Sequence, residues 1–412
     1  MWNRNILTAF VAVLVQIPTV LAGGPEETIR QGGGRVIRFG KKFTDVSFTN
    51  PKTFDPSVLA LLDKVTKLER LTFRNVEVSG LDLKHISTLK GLRSLRLNAK
   101  TIGDDGMKHI AGLTNLELLE LHNTQVTAKG LSYLPVLTKL TYFGHGGRPL
   151  TKSVIDVLPK HLPNVKVLNF NHPHGLGDDG LQALPRLKHL ESLDLSGAIR
   201  LGDGMMDDVA RIRTLKRLSL HHTFGVTDAG LGLLKGHPSL EDIYINNRKI
   251  TDAGVKHLTT IPNLHRVKIG GDDGPLTDEA LRHVAAIPKL TTLSISNPKF
   301  TDAGLKALIK ASNLQELSMD CTGITDAGLA HVAKIPNLNK LVIGSFFRCP
   351  PITDVGLKHL HPLRQLKELV IERTCRTVNE RSIEELRNAL PETRIIRRKP
   401  KRGCEPPENV IR

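Results

Sequence analysis

Aromatic residues are scarce. The 412-residue chain holds one Trp and three Tyr, and aromatics make up 4% of it. A core built on ring stacking is excluded, and the large anchors favoured at interface hot spots are few. Cysteine is nearly absent: Cys321, Cys349, Cys375 and Cys404, all in the last quarter. That is too few for a disulfide-framed fold. No HExxH run or close cysteine pair marks a metal centre, and no G-x-S-x-G elbow, Walker loop or Rossmann fingerprint marks an active site or a cofactor. After the first fifteen residues no run is apolar enough to cross a bilayer. Acidic residues are outnumbered by basic ones, 41 to 58, for a net charge of +17. That balance points to acidic partners.

The N-terminus reads as an export signal over residues 1–22. Arg4 supplies the charge, Ile6–Val15 is the apolar stretch, and Val20-Leu21-Ala22 places cleavage after Ala22. The expected location is periplasm, cell surface or medium. An uncleaved anchor is the competing reading. Residues 23–42 are a Gly-rich flexible lead with Val36–Phe39 as a candidate edge strand.

What the chain has in abundance is a repeat. Ile324–Ile343, ITDAGLAHVAKIPNLNKLVI, shows both halves. L-x-x-L-x-L places its last two apolar residues on one face of a strand. Thr-Asp-x-Gly-Leu then opens a helix, with Thr as cap and Asp suited to the helix dipole. A proline such as Pro262 or Pro336 stops it. The strand motifs start at Leu68, Leu92, Leu116, Leu137, Val165, Leu190, Leu215, Leu240, Leu264, Leu290, Leu314, Leu338 and Leu366, with spacings of 21 to 28 residues. One strand and one helix cannot bury their apolar faces alone, but stacked copies can. The expectation is an α/β solenoid over 43–396: about 13 repeats plus degenerate caps, a parallel sheet inside the curve and helices outside. Residues 397–412 are expected to be a basic, disordered tail.

These motifs resemble leucine-rich repeats of the ribonuclease-inhibitor-like and cysteine-containing type. With Thr in the capping slot they are similar to a class of secreted bacterial repeat proteins. The resemblance implies a horseshoe with an internal ladder at a position usually held by Asn or Cys. Here that slot reads Thr at Thr124, Thr223, Thr322 and Thr374, but Pro173, Arg248, Pro298 and Phe346 elsewhere. Similar repeats serve as substrate receptors in ubiquitin ligases, usually behind an F-box module. The segment here is an export signal instead.

This architecture binds on its inner face. Arg217, His221, Tyr244, Asn246, Arg266 and Lys268, on three consecutive strands, form its best candidate patch, for a protein or an anionic glycan. The repeat that starts at Leu137 would place Thr141 and Phe143 on the same face. Arg397, Arg398, Lys399, Lys401 and Arg402 form an alternative polyanion-binding site at the envelope. Nucleic acid is disfavoured by export. Cys349 and Cys375, just past adjacent strands, form a candidate disulfide. His145, His172 and His174 on one rim make only a weak case for a metal, and none is assigned. Neither catalysis nor a cofactor is expected. A hydrolase hidden in the rim loops is the remaining alternative, and the protein is expected to be a monomer.

Overall fold

The computed structural model describes residues 24–40, 43–147, 149–271, 274–320, 322–344, 352–372 and 378–398. Among these residues sixteen strands form one sheet in chain order, from Gly34–Phe39 to Arg394–Arg397. The first pair is antiparallel and all later pairs are parallel. Helices or short helical turns return the chain between strands. In Thr292–Ser296, Leu293 and Ile295 are buried while Thr292, Ser294 and Ser296 face the concave side. Leu293 pairs in register with Val267 on one side and Leu317 on the other, so every layer closes the one before it. Each such leucine contributes about 2 kcal/mol of burial.

The ends differ from the sequence expectation. Residues 24–40 are not a loose lead. Gly24–Gln31 is a helix, Gly34–Phe39 is a strand, and Ile29 is fully buried. Gly33, at φ +83°, makes the reversal between them. Phe48 stacks on Phe73 with centroids 5.4 Å apart, so rings collect at this cap even though the chain has few. At the other end Arg397 belongs to the last strand. Its Nη1 lies 2.7 Å from Glu380, and Arg398 Nη1 lies 2.7 Å from Glu372. The tail boundary at 397 is therefore too early. Lys399, Lys401, Arg402 and all four cysteines lie outside the described residues, as does segment 1–22.

One repeat was phased wrongly by its leucines. Leu119 pairs with Phe143 and Glu120 with Gly144, so the motif starts at Leu140 and not Leu137. Spacings of 24 and 25 replace the apparent 21 and 28. Phe143 is fully buried, and Tyr142 and Gly144 take the inner-face positions. The motif was hidden because His145 fills the place of its last leucine. The internal ladder holds Thr124, Thr223 and Thr322 buried as expected but was misplaced by one residue in two repeats. Asn247 and Asn297, not Arg248 and Pro298, are buried there. Asn247 Nδ2 donates to the Val226 carbonyl at 3.0 Å. Thr223 fills the slot one residue later because His222, at φ +56°, adds a left-handed step.

The capping motif does more than cap. In each unit from Thr227 onward, the Asp that opens the preceding helix accepts the next cap's N–H and its side chain. Thr251 N and Oγ1 donate to Asp228 Oδ1 and Oδ2 at 2.8 and 2.6 Å. The same Thr Oγ1 accepts from Ala253 N at 3.2 Å. The pairing runs without a break from Asp203–Thr227 to Asp354–Asn379. It lapses in the middle, where Ala128 and Lys152 stand in the Asp position and Thr151 makes no side-chain cap bond. The Gly of Thr-Asp-x-Gly faces this carboxylate: a Cβ on Gly254 would lie 2.2 Å from Asp228 Oδ1. Ala280 shows that a methyl is accommodated, since Thr277 keeps both bonds to Asp252, at 2.9 and 2.6 Å. A second tie comes from the residue before the first leucine. Asn263 donates to the Pro238 carbonyl at 2.7 Å and Asn313 to the Pro288 carbonyl at 2.9 Å.

Thr251→Val removes a cap and an inter-repeat donor together and should destabilise by about 1–2 kcal/mol in denaturant melts. Gly254→Val overpacks the same turn and should cost about 1–3 kcal/mol. Gly254→Ala should stay within about 1 kcal/mol of wild type. Unchanged melting of Thr251→Val would show that the ladder carries no stability.

Candidate functional site

The predicted patch residues do come together, on the strands Arg217–His221, Asp242–Asn246 and Arg266–Gly270. Alternation turns Leu218, Leu220, Ile243, Ile245, Val267 and Ile269 into the core, so the residues between them face out. Register sets three rows. Arg217, Asp242 and Arg266 are level, then Ser219, Tyr244 and Lys268, then His221, Asn246 and Gly270. Lys268 Nζ stands 4.2 Å above the Tyr244 ring. His221 stacks on the same Tyr, with centroids 4.7 Å apart. His222 meets His221 edge-on at 3.9 Å, and Phe224 continues the line at 5.5 Å. A strip of rings thus runs from the inner face to the rim.

Charge in the patch is unbalanced. Arg266 Nη1 and Asp242 are 3.7 Å apart, a loose pair. Burial pushes the Asp242 carboxyl up, and Arg266 and Arg217 pull it back down. Burial holds the His221 ring down to about 4, aided by His222 and Lys268. It is neutral at pH 7. Asp194, one strand before Arg217, is engaged by Ser196, whose backbone N donates to it at 2.8 Å. Together these strands line a shallow depression of about 360 Å³.

A further cluster escaped sequence reading because it depends on the repeat misphased at Leu137. His145 is fully buried. Its Nε2 lies 3.0 Å from the Val126 carbonyl, and its Nδ1 has no partner among the described residues. Nearby on the inner face Asn169 Nδ2 donates to the Tyr142 hydroxyl at 3.2 Å, and Arg96 pairs with Glu120 at 3.1 Å. His145, His172 and His174 do not converge: the last two pair on the rim with centroids 5.8 Å apart, while His145 is in the core. Among the described residues no three His, Cys, Asp or Glu side chains could share a metal ion. No helix of the described residues is long and apolar enough to cross a membrane.

Residues 310–333 match the family model described as a leucine-rich repeat. The structure of the Rad7 and Elc1 complex in yeast has the same fold. Its TM-score is 0.53 at 18% identity, over 84% of this chain and 84% of that one. The chain folds as a leucine-rich-repeat solenoid. An internalin from Listeria monocytogenes is also similar, at TM-score 0.47 and 18% identity over 84% of this chain and 88% of that one. No curated protein matches the sequence. In this solenoid the inner sheet and the outer helices are both built as the motifs imply, and the patch lies about midway along the sheet.

His145 gives the protein a pH dependence. Its ring titrates at about 4 when folded, against 6.5 unperturbed, because burial opposes the charge. The unfolded chain therefore binds the extra proton between pH 6.5 and 4, and stability falls as pH drops through that window. His145→Leu should flatten the profile, gaining about 2 kcal/mol at pH 5 relative to its effect at pH 8. Denaturant melts at the two pH values check this. Equal effects at both would show that His145 is not held neutral.

Proposed function

We propose that the protein is an exported, non-catalytic recognition or scaffolding module that holds a protein partner on its concave sheet and adjoining rim. The observation that carries this reading is the patch on 217–270. It gathers cations, stacked rings and hydroxyls over a depression of about 360 Å³, on strands fixed from below by the buried core. A rigid, preformed surface lowers the ordering cost of binding. The Rad7 structure, a complex with Elc1, supports protein binding as a use of this fold. Export rests on the sequence pattern of residues 1–22. The absence of catalytic motifs in the sequence supports a binding role.

Net charge favours one second reading, a polyanion binder at the cell envelope. Arg397 and Arg398 weigh against the tail as its site, since each is already paired with a glutamate.

Ser294 lines the depression, and Ser294→Trp should fill it without changing charge. With the full chain immobilised in envelope extract, proteins retained by wild type and by the outer-face variant Lys306→Glu should be lost from Ser294→Trp. Retention of the same proteins by Ser294→Trp would move the binding surface elsewhere.

A further inference from the structure

Resting on the concave-face reading, we propose that the partner is a protein that presents a local cluster of carboxylates, seated over Tyr244 among Arg217, Arg266 and Lys268.

Three cations from adjacent strands surround a single carboxylate, Asp242. That carboxylate is shared loosely, at 3.7 Å from Arg266. Arg217 and Lys268 are exposed and form no ion pair within 4 Å among the described residues. Lys268 is held in place by the Tyr244 ring, a contact that keeps the ammonium over the depression without neutralising it. The depressed titration of His221 reports the same excess of positive charge, after burial. Carboxylates suit this site because arginine forks bind them in two-pronged fashion and the half-buried floor weakens solvent screening.

The limits of the patch decide what kind of molecule brings them. One strand before Arg217 the inner face carries Asp194. Two strands beyond Arg266 it carries Glu316, and one strand further on Lys340 is already paired with Glu368 at 3.0 Å. A uniform polyanion laid along the sheet would meet acids on both sides of the seat. A protein segment carries its charge locally and avoids them. Between the seat and Glu316 lie Thr292, Ser294 and Ser296, small side chains that leave room for uncharged neighbours of the bound acids. The partner segment is thus acidic at its anchor and neutral on either side.

The test is selection of a displayed random 16-residue peptide library on the full chain, followed by binding measurements on the recovered peptides. Recovered peptides should carry a short Asp/Glu cluster flanked by uncharged residues. Arg217→Gln with Lys268→Gln should weaken them at least tenfold, while the outer-face pair Lys306→Gln with Lys310→Gln leaves them unchanged. Both pairs are exposed, so equal melting temperatures will show that the variants fold. A library that yields no binder overturns the proposal, as do peptides without acids or peptides weakened equally by both pairs. Tighter binding of heparin or polyglutamate than of any clustered peptide overturns it too, in favour of a uniform polyanion. Acid-free binders that are lost with Ser294→Trp would sink the acid seat but keep the concave face. Binders indifferent to Ser294→Trp would sink both.

Discussion

Over most of its length the structure depends on one short-range constraint: an aspartate at the start of one helix holds the threonine that caps the next. A solenoid has no contacts between distant repeats, so its stability is a sum of neighbour terms. Leucine burial supplies most of that sum but is indifferent to small slips. The paired Thr-to-Asp bonds, 2.6 to 2.7 Å at the hydroxyl in the unbroken run from Thr227 to Thr353, are directional and fix one repeat against the next. They also neutralise cap donors and acceptors that would otherwise be left to water. The inner face inherits its order from this. Level rows such as Arg217, Asp242 and Arg266 exist because successive units are held in one register.

Much of this was legible in the sequence, for a physical reason. A repeat that stacks on itself must show its apolar period in every copy, so strands, helices and the inward-facing residues could be assigned residue by residue. Arg217, His221, Tyr244, Asn246, Arg266 and Lys268 do lie side by side. Failures came where one residue type substitutes for another. His145 in a leucine position shifted the phase of a whole unit. The left-handed His222 places Thr223 one residue later in its repeat than Asn247 stands in the next, so a constant spacing read Arg248 where Asn247 acts. The Asp of Thr-Asp was read as a local cap residue. Its partner lies some 23 to 27 residues away, and only the fold shows it. The carbonyls that Asn263 and Asn313 reach in the preceding repeat are likewise shown only by the fold.

The concave face follows a similar division. Sequence could place charged and aromatic residues on the concave side. It could not show that Lys268 rests on Tyr244, or that Asp242 meets Arg266 only at 3.7 Å. Those distances turn a mixed polar surface into a local excess of positive charge between acidic neighbours. The same reasoning moves the envelope-binding alternative away from Arg397 and Arg398, whose charges are already answered by Glu380 and Glu372.

The central claim is that the Asp–Thr ladder, and not leucine burial alone, couples the repeats. Native-state hydrogen exchange, read segment by segment with rising denaturant, tests it most directly, because local opening reports the weakest couplings. The ladder is broken at Ala128 and Lys152 and unbroken from Asp203 onward. The account predicts that amides in 128–178 open at lower denaturant than those in 203–353. Uniform protection, or earliest opening inside 203–353, would contradict it.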